Sequence, residues 1–506
     1  MKRLFILSAA VLFSGCYLRA QISLHPKREF RGVWVHVINQ TQYQNMSSEE
    51  MKTYFLDMLN GFREDHLNAV LFQVRPTADA FYPSPLEPWS RYLRGKQGMA
   101  PDNDAFDPMA FMIEACHERN MEFHAWINPY RVTAELSDSL HPSHVFHRHP
   151  EWFVRYGNQR YFDPGLPDCR KFICDVIGDI VRRYDVDAIH VDDYFYPYPI
   201  PGKSFPDGNS FLRYGIVQGF HPEQKNDWRR NNINLLIREI RHTIVREKPW
   251  VRFGVSPFGI YRNKKSTPDG SGSDTNGLQN YDDLYADVKL WAEKGWIDYN
   301  IPQIYWNLGT KAADYEILIH WWNENSSGIP LYIGQDIART MKALGIEQQL
   351  SRKMWLERNL PGISGNCFWP AYELMKNSGG IRDSLRENYH LYPALIPAYT
   401  HLHNKPPKDV RKLNVKWTEE GYFLHWERNG DASNPEAAQY FVIYRFTDKE
   451  KTRLDDPAHI VHITRDTQYR LPYEQGEKKK KYRYIVTSVD RFHNESRKGK
   501  SKKVKL

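Results

Sequence analysis

Cysteine is scarce in this chain: five in 506 residues, with no C-x-x-C pair and no even ladder of spacings. That excludes a disulfide framework and a thiolate zinc site. Also missing is any run of the roughly 18 to 20 apolar residues that a membrane-spanning helix needs. The first 20 residues, "MKRLFILSAAVLFSGCYLRA", come nearest, but their basic start, short apolar run and small-residue exit are those of an export signal. Two processing sites compete within it. "FSGC" would expose Cys16 for lipid attachment, whereas "LRAQ" would be cut after Ala20. Either one implies an exported protein of the periplasm or cell envelope.

An even spread of positive charge is absent as well. Residues 405–506 hold 24 Lys and Arg against 15 Asp and Glu, a net of +9, and the whole chain is +8, which leaves about −1 for the rest. The basic runs "EKKKKYR" and "RKGKSKKVKL" therefore belong to a tail, either as solvated charge or as a contact for an anionic envelope surface, and nucleic acid is not implied.

What is present is a long alternation. Eight strand-like runs begin at "EFRGVWVHV" and continue through "LNAVLFQVRP", "MEFHAWINPY", "DAIHVDDYFYP", "VRFGVSPFG", "IDYNIPQIYW", "IPLYIGQDI" and "ISGNCFWPAY". Amphipathic helical stretches such as "SSEEMKTYFLDML" and "KFICDVIGDIVRRY" separate them. Strict alternation predicts a (β/α)8 barrel over residues 29–396, with an open doubly wound sheet as the weaker alternative. Segments 77–106, 131–167, 198–225 and 260–280 are Pro, Gly, Asp and aromatic rich and all follow strands, so they are expected to build the barrel's active face. After "PPKDV" short alternating strands take over. Residues 405–506 read as an all-β sandwich similar to a fibronectin type III module, a unit that spaces or docks and carries no catalysis here.

Strand side chains alternate, so phase assigns the lumen. Val33, Val35 and Val37 face the helices, leaving Trp34 and His36 inside. The same count puts Gln73, Arg75, His124, Trp126, Asn128, His190, Asp192, Gln303 and Tyr305 in the lumen, with Ser256 beside them. So many polar groups make either a large satisfied network or a wet site for a polar ligand. With Trp34, Trp126, Trp306 and Trp369 at the same mouth, the set favours a sugar, whose C–H faces pack on aromatic rings. Asp192 points inward by phase. Asp193 reaches the same site only if the chain bends in "HVDDYFYP".

The motifs "EFRGVWV", "FQVRPTADAFYPSPLEPWS", "HAWINPYRV", "FDPGLP", "HVDDYFYP", "DWRRNNIN", "FGVSPFGIYRN" and "PQIYW" together resemble the glycosyl-hydrolase-like family 10 of bacterial envelope proteins. The resemblance implies a barrel that hydrolyses glycosidic bonds, with cell-wall glycan stripped of its peptides as the substrate. It also implies that Asp192 and Asp193 are the catalytic pair and that Arg75, Asn128, Tyr130, Gln303 and Tyr305 bind sugar. Trp34, His36, Gln73, Asp79, Trp126, His190, Tyr194, Ser256, Trp306 and Trp369 complete the expected substrate contacts, and no cofactor or metal is expected.

Two mechanisms stay open. Asp192 can act with a loop acid such as Asp79, Glu87, Asp163 or Asp274, at the spacing that a donor and a second carboxylate require. Alternatively a 2-acetamido group on the sugar is the nucleophile, one aspartate orienting it and the other protonating the leaving oxygen. Two other classes remain beside them: a metal-dependent hydrolase using His36, His124, His190 and Asp192, and a carbohydrate-binding protein without turnover.

Overall fold

The computed structural model describes residues 25–506 apart from 344–345 and 476–478, so Cys16 and the expected export signal lie outside the described residues. No described helix is long and apolar enough to cross a membrane.

Eight parallel strands close into a barrel: β1 Phe30–Val35, β2 Ala69–Arg75, β3 Glu122–Ile127, β4 Ala188–Val191, β5 Arg252–Val255, β6 Tyr299–Asn300, β7 Leu331–Asp336 and β8 Ile363–Trp369. Every strand neighbours the next in sequence, and β1 pairs with β8 to close the ring. An open doubly wound sheet is therefore ruled out. Connecting helices start where the sequence caps them. Ser47 and Glu50 form a capping box at Ser48–Glu64, and Asp107 caps Pro108–Glu118 with proline in the first turn.

The barrel has two apolar layers, as strand phase dictates. Val33, Val35 and Val37 pack outward in one core with the helices, while Phe30, Trp34, Leu71, Trp126, Tyr299 and Tyr332 fill the lumen in another. The long loops after β2, β3, β4 and β5 gather at the C-terminal mouth, and the one after β3 contains a hairpin, Phe153–Tyr156 with Gln159–Phe162.

Seven further strands form two antiparallel sheets: β9 Arg411–Thr418, β10 Gly421–Glu427, β11 Tyr440–Thr447, β12 Ile460–Thr464, β13 Gln468–Arg470, β14 Lys481–Val489 and β15 Lys500–Lys505. The sheet orders are β9-β10-β13 and β12-β11-β14-β15, with Trp426, Phe441, Ile443 and Tyr484 between them. This sandwich meets the barrel at the strands' N-terminal ends. Arg491 forms a bidentate pair with Asp185 at 2.9 and 3.2 Å, Asn120 Nδ2 donates to the Ile463 carbonyl at 2.6 Å, and His493 reaches Glu122 at the start of β3.

Candidate active site

A cleft of about 650 Å³ opens at the barrel's C-terminal mouth, and both Asp192 and Asp193 line it. β4 ends at Val191 and the chain turns at once, the Phe195 amide donating to the Asp193 carbonyl at 3.1 Å. That bend lets two neighbours, which would point apart on a strand, face one space.

Their surroundings differ. Asp192 accepts from Trp126 Nε1 at 3.0 Å, from Asn128 Nδ2 at 3.1 and 3.2 Å, and from the Tyr194 amide at 3.3 Å. Burial pushes its carboxyl above the ordinary value, and the Arg131 charge together with these donors pulls it back. Asp193 has fewer donors, the Tyr198 hydroxyl and Gln303 Nε2, the latter at 3.1 Å. Burial, and then the charge of Asp192, push it up to about 6. Both carboxyls are raised, but Asp192 has the more donors to favour its charged form and Asp193 has its neighbour's charge against it, so Asp193 is the better proton holder of the two, the division that acid and partner roles need.

Aromatic rings form the walls. Trp369 lies 4.5 Å from the His36 ring and 6.1 Å from Trp126, and Trp306 lies 5.4 Å from Phe258. Burial pushes His36 down to about 4, so it stands neutral in the wall. Arg131 rests 5.0 Å from the Tyr194 ring and donates Nε to the Pro76 carbonyl at 3.2 Å. Among the described residues, the only acids lining the cleft are Asp192 and Asp193.

A family model, glycosyl hydrolase-like 10, matches residues 29–352. The chain belongs to the glycosyl hydrolase-like 10 family. It is similar to glycosyl hydrolase YngK of Bacillus subtilis (strain 168), 40% identical over 484 residues that cover 94% of this chain and 93% of that protein. Glycosyl hydrolase DigH of Escherichia coli (strain K12) is 35% identical over 370 residues, 67% of this chain and 82% of that one. Among solved structures, the catalytic domain of β-amylase from Paenibacillus polymyxa superposes with a TM-score of 0.49 at 12% identity, over 72% of this chain and 99% of that domain.

In this glycosyl hydrolase-like 10 member most residues expected to contact substrate do line the cleft, from Trp34 in β1 and His36 just after it to Trp369 at the end of β8. Arg75, Asp79, Asn128, Tyr130 and His190 do not. A register shift between Gln73 and Arg75 takes Arg75 off the lumen phase. It pairs instead with buried Glu87 at 2.6 Å and braces the loop after β3 through the Asn128 carbonyl at 2.5 Å. Asp79 is spent on Thr77, Gln97 and the Arg91 amide. Tyr130 sits in the outer core, Asn128 stands behind Asp192, and His190 lies beneath the floor.

The loop acids fare likewise. Glu87 is held by Arg75, Asp163 accepts from the Gly165 amide at 2.8 Å away from the lining, and Asp274 is exposed. No loop acid is left in the cleft, among the described residues, to partner Asp192. The histidine set offered for a metal is also engaged: both ring nitrogens of His124 and of His190 lie in hydrogen bonds to protein groups.

Arg131, Tyr198, Phe258 and Arg339 line the cleft without having been picked out from the sequence. Three of them sit inside or beside quoted motifs, Arg131 in "HAWINPYRV", Tyr198 just past "HVDDYFYP" and Phe258 in "FGVSPFGIYRN". Strand phase could not find them, because alternation carries no information once the strand has ended.

Proposed function

We propose that this protein hydrolyses glycosidic bonds in a polysaccharide of 2-acetamido sugars, bacterial cell-wall glycan foremost, by substrate-assisted retention. One observation carries the reading: the adjacent aspartates are the acids of the cleft, and their environments pull their proton affinities apart. Neutral Asp193 donates its proton to the leaving oxygen as the substrate's acetamido carbonyl attacks the anomeric carbon. Asp192, ionised among its donors, accepts the acetamido N–H and steadies the positive charge that develops on that group. Asp193, now a carboxylate, then takes a proton from the water that opens the bicyclic intermediate. The rings of Trp126, Trp306 and Trp369 supply the apolar faces on which sugars pack.

In keeping with the export signal, we place the protein in the periplasm or cell envelope, either free after cleavage at Ala20 or lipid-anchored through Cys16. Its basic C-terminal domain would there contact an anionic envelope surface.

A thiazoline mimic of the intermediate tests the mechanism. It should inhibit far better than substrate binds, and peptide-free peptidoglycan strands should yield products with a mass change of one water per cleavage. A glycosyl adduct mapped to any Asp or Glu after treatment with a fluorinated sugar would overturn the substrate-assisted route. No product from the strands or from chitooligosaccharides would overturn the hydrolase reading itself.

A further inference from the structure

Beneath the cleft floor a file of buried polar side chains runs down the barrel axis to the C-terminal sandwich. It starts at Trp34 and Ser256, both of which line the cleft. Trp34 Nε1 lies 3.3 Å, and Ser256 Oγ 2.9 Å, from His190 Nε2. His190 Nδ1 is 3.2 Å from the Tyr299 hydroxyl, which is 2.8 Å from His124 Nδ1. His124 Nε2 is 2.9 Å from one oxygen of Glu122, and the other oxygen is 2.6 Å from Nε2 of His493, a residue of the sandwich. The Tyr440 hydroxyl, 3.0 Å from His493 Nδ1, ends the file. From Trp34 to His493 every member is at least nine-tenths buried.

The two ends fix the direction of every proton between them. An indole N–H can only donate, so His190 Nε2 is an acceptor and its proton sits on Nδ1. Nδ1–H donates to Tyr299, whose own hydroxyl proton must go to His124 Nδ1. His124 therefore carries its proton on Nε2 and gives it to Glu122. The Glu122 carboxylate accepts from that side, from Arg252 and from His493 Nε2–H, and His493 Nδ1 accepts from Tyr440. Arg252 Nη1 also approaches His493 Nε2, but at 3.4 Å, and the shorter contact with the carboxylate decides where that proton lies. Burial lowers the proton affinity of all three histidines, in keeping with one proton on each ring.

This order reaches the site. Because His190 Nε2 carries no proton, Ser256 Oγ can bond to it only as a donor, sharing its lone pair with the longer Trp34 contact, and the hydroxyl then shows substrate only its lone pairs. The carbonyl of the same residue accepts from Gln303 Nε2 at 2.8 Å, and that amide also holds Asp193. We propose that His493 is a positioning residue for the active site: with Arg252 it holds Glu122 as the acceptor that anchors the lower end of the file, and this anchor reinforces the order set at Trp34, which presents Ser256 as an acceptor-only group on the cleft floor and so selects a sugar hydroxyl or amide N–H at that point. The sandwich is thereby part of the catalytic unit, a role that rests on the glycosidase reading only for its kinetic readout.

The test is a double-mutant cycle on the full chain. Tyr299→Phe removes the one hydroxyl that links the two halves of the file and leaves both ends intact. His493→Ala removes the sandwich end, and His493→Gln keeps a donor there. Histidine ¹⁵N spectra of the wild type should show His190 protonated on Nδ1 and His124 on Nε2, and His493→Ala should mix the tautomers, those of His124, nearer the lost anchor, more than those of His190, which Trp34 still holds. Each of Tyr299→Phe and His493→Ala should raise KM roughly tenfold, the double variant should cost little more than either alone, and His493→Gln should recover most of the loss. If His493→Ala lowers the melting temperature but leaves both the tautomers and KM as in the wild type, the positioning role is overturned. The spectra need no turnover, so they report on the file even if no glycan is cleaved.

Discussion

Asp193 ties the proposed chemistry to a measurable cost in stability. Its folded carboxyl is raised to about 6, above the ordinary value of 3.8, so the fold holds its proton more tightly than the unfolded chain does. Its ionisation therefore weakens the fold as pH rises from about 4, and that penalty is complete above about 6. Asp193→Asn should melt higher than the wild type at pH 7 to 8, and lose that advantage below about pH 4, while turnover falls on the order of 10² to 10⁴-fold. A melting temperature that drops at pH 8 would show that the carboxylate is instead a structural anchor. As general acid, Asp193 also sets the alkaline limb of the rate profile near pH 6. The Tyr198 hydroxyl stabilises its charged form, so Tyr198→Phe should move that limb upward, whereas an unmoved limb would assign it to another group. Asp192 was legible from strand phase, since it follows Ile189 and His190 in strict alternation. Asp193 needed the bend, Arg131 and Tyr198 lie beyond the strand ends, and a bulge moved Arg75 to the far side of the wall. Alternation is a property of extended backbone and stops informing where the backbone stops being extended.

At the scale of elements, the eight strands could be read because each is an apolar run bounded by turn residues and spaced by a helical period. The docking of the sandwich could not be read, because it depends on single polar residues with no periodicity. His493 is the clearest case. Its backbone sits at φ 63°, a left-handed conformation uncommon for a side chain with a Cβ, in a turn where the Asp490 carboxylate accepts from the Phe492 and Asn494 amides. That turn aims the ring at Glu122. The Tyr399 amide donates to the Phe492 carbonyl at 2.9 Å, and the Tyr399 ring belongs to the lumen core, so the connecting segment closes the barrel's lower end. The sequence suggested a spacing or docking unit, and a mere spacer would unfold on its own. The buried junction instead predicts one cooperative calorimetric transition for the whole chain. Removing residues 405–506 should lower the barrel's melting point sharply or abolish its folding, because Glu122 and Arg252 would lose cover and a partner. Two separate transitions in the intact protein, or a stable barrel fragment, would refute this. The junction should also fail first in acid. Arg252, His493 and His124 overcome the cost of burial and hold Glu122 well below its ordinary 4.5, so its contribution is present above that value and lost as pH falls through the lower folded one.

Over the whole molecule, charge and chemistry are kept at opposite ends. The cleft opens at the C-terminal mouth of the barrel, while the sandwich, which carries the +9 excess of residues 405–506, is fixed to the other end. Part of that excess converges on one groove lined by Lys408, Arg411, Lys412, Arg497, Lys498 and Lys500, with Asp409 as its one acid among the described residues. Glu427 approaches Arg411 and pairs with Lys412, and among the described residues the other four cations have no ion-pair partner. The alternative role for lysines on β15 is to keep an edge strand from pairing with another chain, and such lysines need not converge. Convergence favours a polyanion, and the absence of aromatic side chains from the groove lining favours a phosphate- or carboxylate-bearing wall polymer over the stacked bases of a single-stranded nucleic acid. Replacing Lys408, Arg497, Lys498 and Lys500 by Gln should therefore leave turnover of short soluble glycans unchanged. It should cut sedimentation with insoluble anionic wall material severalfold at low salt. Because exposed charges are screened beyond about 8 Å at physiological salt, the wild type should approach the variant as salt rises. If both sediment equally at low salt, the basic domain is a solvated surface and the groove has no such partner.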